Sequence, residues 1–267
     1  MSTPKETLRI ACTIGPVESG LLPALVRRFT ALSRIPVDYE ALGSGAALER
    51  AREGGIDLVI AHAPDLEERF VADGFATGRH PFAASTFVLA GPPADPAGIR
   101  GDDDVASALR RIAETRSTFL SRGDRSGTHL RELDLWREAG IEPTGGIGET
   151  GEVDRAAEWY QVSASGSRGS TTVAREAART GAYTLIDWTS LIAAGPALVP
   201  LTTGDPRLIN IFSALPINPE HVPGVHAEAS SAFLHWLLDA EAQELIANFG
   251  RAEYGVPLFL TLDRVAE

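Results

Sequence analysis

Residues 37–60, VDYEALGSGAALERAREGGIDLVI, contain the pattern that decides the fold. Residues 37–42 alternate between apolar and polar and predict a strand, which a Gly-Ser-Gly break ends. Residues 46–53 predict a helix that a glycine pair ends, and residues 56–60 predict the next strand. A strand, a helix and a second strand in this order predict two parallel strands joined by a crossover helix, the unit of an α/β fold.

The same alternation continues on both sides of this stretch. Residues 8–11 predict a strand and residues 21–32 a helix with apolar positions three and four apart. After a Pro- and Gly-rich segment at residues 91–98, further strands and helices predict a second α/β unit. Residues 144–169 carry six glycines and predict a loop, and residues 228–249 predict one terminal helix.

These elements predict a two-lobed α/β protein in which each lobe is a mainly parallel sheet flanked by helices. We assign residues 1–91 plus 200–267 to lobe I and residues 92–199 to lobe II. Two lobes joined by two crossovers leave a cleft between them, and small ligands favour such places.

The composition limits the classes of function. The chain has 267 residues, of which 44% are hydrophobic and 22% charged, as in a soluble globular protein. Its formal net charge of −12 argues against a nucleic-acid partner, because phosphate backbones need a basic face. Local dipoles and one or two cations can still hold a small anion.

No cofactor, metal site or catalytic group is predicted. The single cysteine, Cys12, permits neither a disulfide nor a cysteine-based zinc site, and the six histidines lack metal-ligand spacing. The sequence contains no nucleophile elbow, no Walker loop and no Gly-x-Gly-x-x-Gly fingerprint.

The compartment stays open at this point. Residues 1–11 contain no apolar run of signal-peptide length, and no apolar run approaches the length of a membrane helix. We therefore expect no membrane insertion. The chain is cytoplasmic if it is complete as given, and periplasmic if a signal peptide was removed.

Residues 119–129, FLSRGDRSGTH, carry the strongest chemical signal. A predicted strand runs into a polar turn and then a helix, and Ser126 and Thr128 are natural N-cap residues. The helix start offers free N–H groups, Gly127 permits close approach, and Arg122 offers a planar cation. Asp124 is expected to orient Arg122 or the turn. A capped helix beside a surface arginine explains the bare sequence equally well.

Three further loops follow predicted strands of the first lobe. They carry Thr13, Ser44, and the pair Ser85 and Thr86. Each is weak evidence alone, since a tight turn explains it as well. Loops at the strand ends of one sheet would converge on one point, which favours a shared ligand.

Several segments together resemble the tungstate-type substrate-binding proteins of ABC transporters, which have the type 2 periplasmic binding protein fold. They are residues 41–45 (ALGSG), 57–62 (DLVIAH), 87–92 (FVLAGP) with 95–98 (DPAG), 121–129 (SRGDRSGTH), 135–141 (LWREAGI), 181–185 (GAYTL) with Asp187, and 233–237 (FLHWL). The resemblance implies a hinge, a ligand caught by closure, and Arg122, Ser126 and Thr128 in or beside an oxyanion site. With the loops above, the candidate ligand-binding residues are Thr13, Ser44, Ser85, Thr86, Arg122, Ser126, Gly127, Thr128, Ser170, Asp187 and Trp188.

The sequence departs from the family pattern in the ligand loops. Ala46 stands where the family usually has Gln, Ser85 and Thr86 where it has Asn-Asp, and Trp188 where Arg is common. Fewer donors in the first lobe and a new aromatic fit an anionic head with an apolar or neutral body. The ligand therefore stays open between an oxyanion, such as tungstate or molybdate, and a small organic anion.

Three functions remain. The first is a solute-binding protein, expected to be a monomer, that passes a small anion to an ABC-transporter permease. The second is a cytosolic ligand sensor of the same fold. The third is an enzyme on this fold, for which Asp124, His129, Asp187 or Cys12 would supply a base or nucleophile, although none forms an evident pair.

Overall fold

The computed structural model describes residues 6–143 and 158–264. It divides into two compact units, one formed by Met1–Ser85 with Asn210–Glu267 and the other by Thr86–Ile209. In chain order the elements are β1 Leu8–Thr13, α1 Ile14–Glu18, α2 Leu21–Ser33, β2 Val37–Leu42, α3 Ser44–Arg52, β3 Leu58–Ala61, α4 Pro64–Ala72, β4 His80–Gly91, α5 Val105–Glu114, β5 Phe119–Ser121, α6 Gly127–Glu138, β6 Tyr160–Val162, α7 Ser170–Thr180, β7 Thr184–Asp187, α8 Trp188–Ala194, β8 Val199–Thr202, β9 Ile209–Pro216, α9 Ala227–Leu238, α10 Ala240–Asn248 and α11 Arg251–Tyr254.

The first unit is built on a sheet with the strand order β2-β1-β3-β9-β4. Strand β1 pairs in parallel with β2 and with β3, and Ile10 lies opposite Leu58. Strand β3 is buried along its whole length, whereas every position of the edge strand β2 is exposed or partly buried. Their carboxyl ends therefore lie at one edge of the sheet, where the loops that follow them begin.

Strand β9 runs antiparallel to β3, with Ala61 opposite Ser213. The start of β9 consequently lies at the same edge as the carboxyl end of β3. Helix α2 buries Leu21, Leu25 and Phe29, and Phe29 packs edge-on against Phe233 of α9.

The second unit has its own core and its own strands. Strand β4 pairs antiparallel with β7 and with β8, while β5 pairs in parallel with β6 and contacts Tyr183 through a parallel bridge at Phe119. Buried aromatic rings of Phe119, Trp136, Trp159 and Tyr160 contact one another in its core.

The α/β fold predicted from the sequence is confirmed, and its sheets contain both parallel and antiparallel pairs. The predicted lobe boundaries fall after Gly91 and before Pro200. In the structure the chain leaves the first unit inside β4 and returns at the start of β9.

Some elements differ from the sequence-based expectation. The terminal helix is two helices, because Asp239 adopts an extended conformation (φ −73°, ψ 158°) between α9 and α10. The predicted loop at residues 144–169 contains strand β6, and its residues 144–157 lie outside the described residues. The short helices α1 and α8 were not predicted, since each is too short to show a helical period.

Candidate functional site

Arg122 directly follows β5 and is held on three sides. Its Nη1 donates to Ser170 Oγ at 2.6 Å, and its Nη2 donates to Asp124 Oδ2 at 2.5 Å and to the Gly166 carbonyl oxygen at 3.3 Å. The side chain is only 8% exposed. Its Nε–H has no hydrogen-bond partner within the described residues. A buried, fixed guanidinium with an unused N–H is a strong donor for an anion.

The turn after Arg122 is shaped by two left-handed residues, Gly123 (φ 64°) and Arg125 (φ 60°). The Arg125 N–H donates to His129 Nδ1 at 2.9 Å, and the Ser126 N–H donates to Asp124 Oδ1 at 3.1 Å. Burial raises the pKa of Asp124, but hydrogen bonds from Ser126 and the charge of Arg122 lower it on balance. Asp124 therefore stays ionised and orients both Arg122 and the turn, as the sequence predicted.

Helix α6 begins in this turn with Ser126 as its N-cap, whose Oγ accepts from the His129 N–H at 3.4 Å. Helix geometry leaves the N–H groups of Gly127 and Thr128 without an intrahelical acceptor. The first turn of α6 contains no acidic residue, and the same holds for α7, which begins at Ser170. The start of α7 thus has no carboxylate in its first turn, whereas the ionised Asp124 lies beside the start of α6. The N–H groups that lack an intrahelical acceptor at both starts can donate to a negative ligand.

Gly166 packs directly against the backbone of Arg122. A Cβ added at Gly166 would overlap the Arg122 carbonyl oxygen, so a residue with a side chain would displace the segment. Two contacts therefore fix the position of Arg122. Gly166 packs against its backbone, and Ser170, the first residue of α7, accepts a hydrogen bond from its side chain.

Glu132 lies one helical turn beyond Thr128. It is 2% exposed and accepts a hydrogen bond from the Tyr160 hydroxyl at 2.6 Å. Burial raises its pKa to about 7, although the bond from Tyr160 acts in the opposite direction. A titratable group thus lies inside the second unit, in the helix that carries the predicted anion contacts.

In the first unit, four polar side chains meet at the edge where the parallel strands end. The His62 N–H donates to Ser44 Oγ at 3.3 Å, His62 Nδ1 lies 2.9 Å from Asn210 Oδ1, and Asn210 Nδ2 donates to Ser85 Oγ at 3.3 Å. Ser44 and Ser85 are each 2% exposed and Asn210 is 6% exposed. We call Ser44, His62, Ser85 and Asn210 the hydroxyl cluster.

The remaining sequence-predicted residues have other surroundings. Thr13 is buried at the end of β1, and Thr86, half-buried, is the first residue of the second unit. Asp187 caps helix α8 by accepting from the Ser190 N–H at 2.9 Å. Trp188 is half-buried and packs against the apolar cluster that contains Val88, Ile186 and Leu191.

Metal and cysteine chemistry find no support in the part of the chain that the structure describes. No group of three or more His, Cys, Asp or Glu residues there could hold a metal ion. Cys12 is buried, and burial raises its thiol pKa well above the usual range. Among the described residues, no helix is long and apolar enough to cross a membrane.

A family model described as a PBP superfamily domain matches residues 2–241. The chain belongs to this superfamily. This PBP domain is 35% identical over 259 residues to the tungstate-binding protein TupA of Peptoclostridium acidaminophilum, covering 96% of this chain and 85% of that protein. It is also 35% identical over 251 residues to a putative ABC transporter anion-binding protein of Haloferax volcanii, covering 91% of this chain and 69% of that protein.

A solved structure supports the same family assignment. The PBP domain superposes on the tungstate-binding protein TupA of Desulfovibrio alaskensis with a TM-score of 0.80 and 34% identity, covering 96% of this chain and 98% of that one. The resemblance inferred from the sequence is confirmed.

Sequence reasoning missed His62, Asn210 and the buried role of Glu132. His62 could have been found, because it directly follows a predicted strand of the sheet whose other strand ends carry Thr13 and Ser44. Asn210 gave no local signal, since it reaches the cluster only through the antiparallel return of β9.

Proposed function

We propose that this protein is the substrate-binding component of an ABC-type uptake system and captures a tetrahedral oxyanion of the tungstate or molybdate type. The observation that carries the proposal is Arg122, a buried guanidinium held by Ser170, Asp124 and Gly166 with its Nε–H unused within the described residues. Relatives that cover most of the chain bear the names tungstate-binding protein and ABC transporter anion-binding protein. We propose a permease as the partner that receives the ligand.

The donor chemistry favours an oxyanion over an organic anion with an apolar body. Arg122 and Asp124 together carry no net charge, so a bound anion would be compensated by N–H dipoles of α6 and α7 and by hydroxyl groups. Such a set of directional donors suits several equivalent oxygens around one centre. Trp188, which suggested an apolar ligand body, has a structural role in the packing of the second unit.

The candidate contacts are given for each unit by itself. In the second unit they are Arg122, Ser126, Gly127, Thr128 and Ser170. In the first unit they are Thr13, Ser44 and Ser85. All except Ser126 and Gly127 are buried, which strengthens their hydrogen bonds to a charge because water is excluded.

Calorimetric titration of the purified protein tests the proposal, with tungstate, molybdate, sulfate, phosphate and acetate in parallel. We expect saturable one-to-one binding of tungstate or molybdate and weaker binding of acetate. A thermal-shift series should agree, because a ligand that binds only the folded state stabilises it by about 2.7 kcal/mol at a hundred times Kd. No binding of any of the five anions would overturn the proposal, and tight binding of acetate alone would favour the organic-anion alternative.

A further inference from the structure

The hydroxyl cluster has a defined direction of hydrogen bonding. Asn210 Oδ1 cannot donate, so the contact of 2.9 Å to His62 Nδ1 requires a hydrogen on that ring nitrogen. Asn210 then has only its amide hydrogens to offer to Ser85, and Nδ2 donates to Ser85 Oγ. The direction therefore runs from His62 through Asn210 to Ser85.

This direction determines what the Ser85 hydroxyl can do. The Oγ atom accepts from Asn210, and the Asn210 NH2 group has no lone pair to receive the hydroxyl hydrogen. The single hydrogen of Ser85 must therefore be donated to another acceptor. Since Ser85 is 2% exposed, leaving that hydrogen unpaired would be costly.

Ser44 Oγ also accepts a hydrogen bond, in this case from the backbone of His62. The His62 N–H donates to Ser44 Oγ at 3.3 Å, and an N–H group cannot accept a hydrogen in return. His62 thus makes acceptors of two serine oxygens, one directly and one through Asn210. Both hydroxyl hydrogens are left for other acceptors.

We propose that His62 and Asn210 are positioning residues that hold the hydroxyls of Ser44 and Ser85 as hydrogen-bond donors to the bound oxyanion. The inference rests on the proposed function, since it takes an oxyanion as the acceptor. Neither positioning residue needs to touch the ligand. Their side chains act on the ligand only through Ser85. The effects of substituting Ser85 and Asn210 on ligand affinity should therefore not be independent.

The test is a double-mutant cycle on tungstate affinity, measured by calorimetry with Ser85→Ala, Asn210→Leu and the double variant. Asn210→Leu keeps the side-chain size but removes the donor that orients Ser85. We expect about tenfold weaker binding for Ser85→Ala, the loss of one charge-assisted hydrogen bond. We expect a loss of about three- to tenfold for Asn210→Leu on the same scale. In the double variant we expect the loss of Ser85→Ala alone, because Asn210 then has nothing left to orient.

A purely structural role of Asn210 gives a different pattern, in which the two losses multiply in the double variant. That result would overturn the inference while the proposed function stands. If the unsubstituted protein binds none of the five anions, the proposed function is overturned instead, and the inference with it.

Two further variants keep the test decisive. His62→Phe removes the hydrogen bond to Asn210 but keeps a ring that packs against Phe212, whose centroid lies 5.4 Å away. It replaces Asn210→Leu in the cycle if that variant does not fold, with the same expected pattern. The matched control is Asn218→Leu, which removes a hydrogen bond to the Gly74 carbonyl elsewhere in the first unit. It should lower the melting temperature of the free protein and leave tungstate affinity within about twofold.

Discussion

The two units arrange their polar groups by the same device but with different chemistry. In each, a serine oxygen accepts from a nitrogen, Ser170 from Arg122 and Ser85 from Asn210, so that the hydroxyl hydrogen remains available. In the second unit the nitrogen belongs to a cation paired with Asp124. In the hydroxyl cluster of the first unit no Asp, Glu, Lys or Arg takes part.

This difference separates two tasks in anion recognition. The Arg122 guanidinium supplies a charge-assisted hydrogen bond to any anion, although Asp124 balances its charge at a distance. Neutral hydroxyls held by an amide supply little attraction at a distance but a strict geometry. Substitution of Arg122 should therefore abolish binding, whereas substitutions in the hydroxyl cluster should weaken it in steps.

The largest effect is expected for Arg122→Ala. It removes the cation and the unused Nε–H and leaves Asp124 as an uncompensated half-buried carboxylate, so tungstate binding should weaken by at least about a hundredfold. Arg122→Lys keeps the charge but loses the planar fork, and we expect an intermediate loss. Calorimetry measures both affinities, and the melting temperature of the free protein reports any damage to the fold.

Arg179→Ala is the matched control for that pair. Arg179 is exposed in the last turn of α7 in the same unit, so the net charge changes equally. Its affinity should stay within about twofold, because surface charges are screened by salt. Equal losses of tungstate affinity in Arg122→Ala and Arg179→Ala would mean that the overall electrostatic field of the protein, and not Arg122 itself, attracts the anion. The proposed difference between the two units would then be wrong.

A smaller effect, on stability, is expected from Glu132. Burial raises its pKa from 4.5 to about 7, so the folded protein holds this proton more tightly than the unfolded chain. The resulting stabilisation is complete below pH 4.5 and is lost as the pH rises through about 7. At about 1.4 kcal/mol for each pKa unit, this difference stabilises the fold at low pH by roughly 3–4 kcal/mol.

Glu132→Gln should remove this pH dependence. Its amide oxygen can still accept from the Tyr160 hydroxyl but cannot ionise. The melting temperature of the variant relative to the unsubstituted protein should therefore rise between pH 5 and pH 8. Glu114→Gln, an exposed position on α5, is the control and should follow the unsubstituted protein. Parallel curves for Glu132→Gln would mean that this carboxyl ionises normally.

The fold could be predicted because its signals are local. The apolar spacing in α2 lies within one element, and the strand, helix and strand in residues 37–60 follow one another directly in the chain; both were confirmed. The antiparallel pairing of β9 and the break at Asp239 could not be predicted from the sequence. Strand partners and the choice between one helix and two depend on packing against distant parts of the chain.

The candidate site likewise has a part that local sequence signals predict and a part that depends on distant residues. The turn around Arg122 could be predicted because capping and turn chemistry are written in adjacent residues. The hydroxyl cluster joins residues from four separate segments, and the pairing of His62 with Asn210 spans 148 positions. The burial of Glu132 could not be predicted, because it follows from Tyr160, which lies in a stretch predicted to be a loop.

The smallest effect is expected at Asp187, and it defines how far the binding surface of the second unit extends. Asp187 accepts from the Ser190 N–H and from the Thr189 hydroxyl, which is the role of an N-cap. Asn caps helices as well as Asp does, so Asp187→Asn should leave the melting temperature nearly unchanged, while Asp187→Ala should cost about 1 kcal/mol. A carboxylate facing a bound anion would behave differently, because its removal would relieve repulsion and tighten tungstate binding several-fold. We expect both variants to bind tungstate within about twofold of the unsubstituted protein. Tighter tungstate binding by Asp187→Asn would show that the start of α8 lies in the binding site and that the Asp187 carboxylate repels the bound anion.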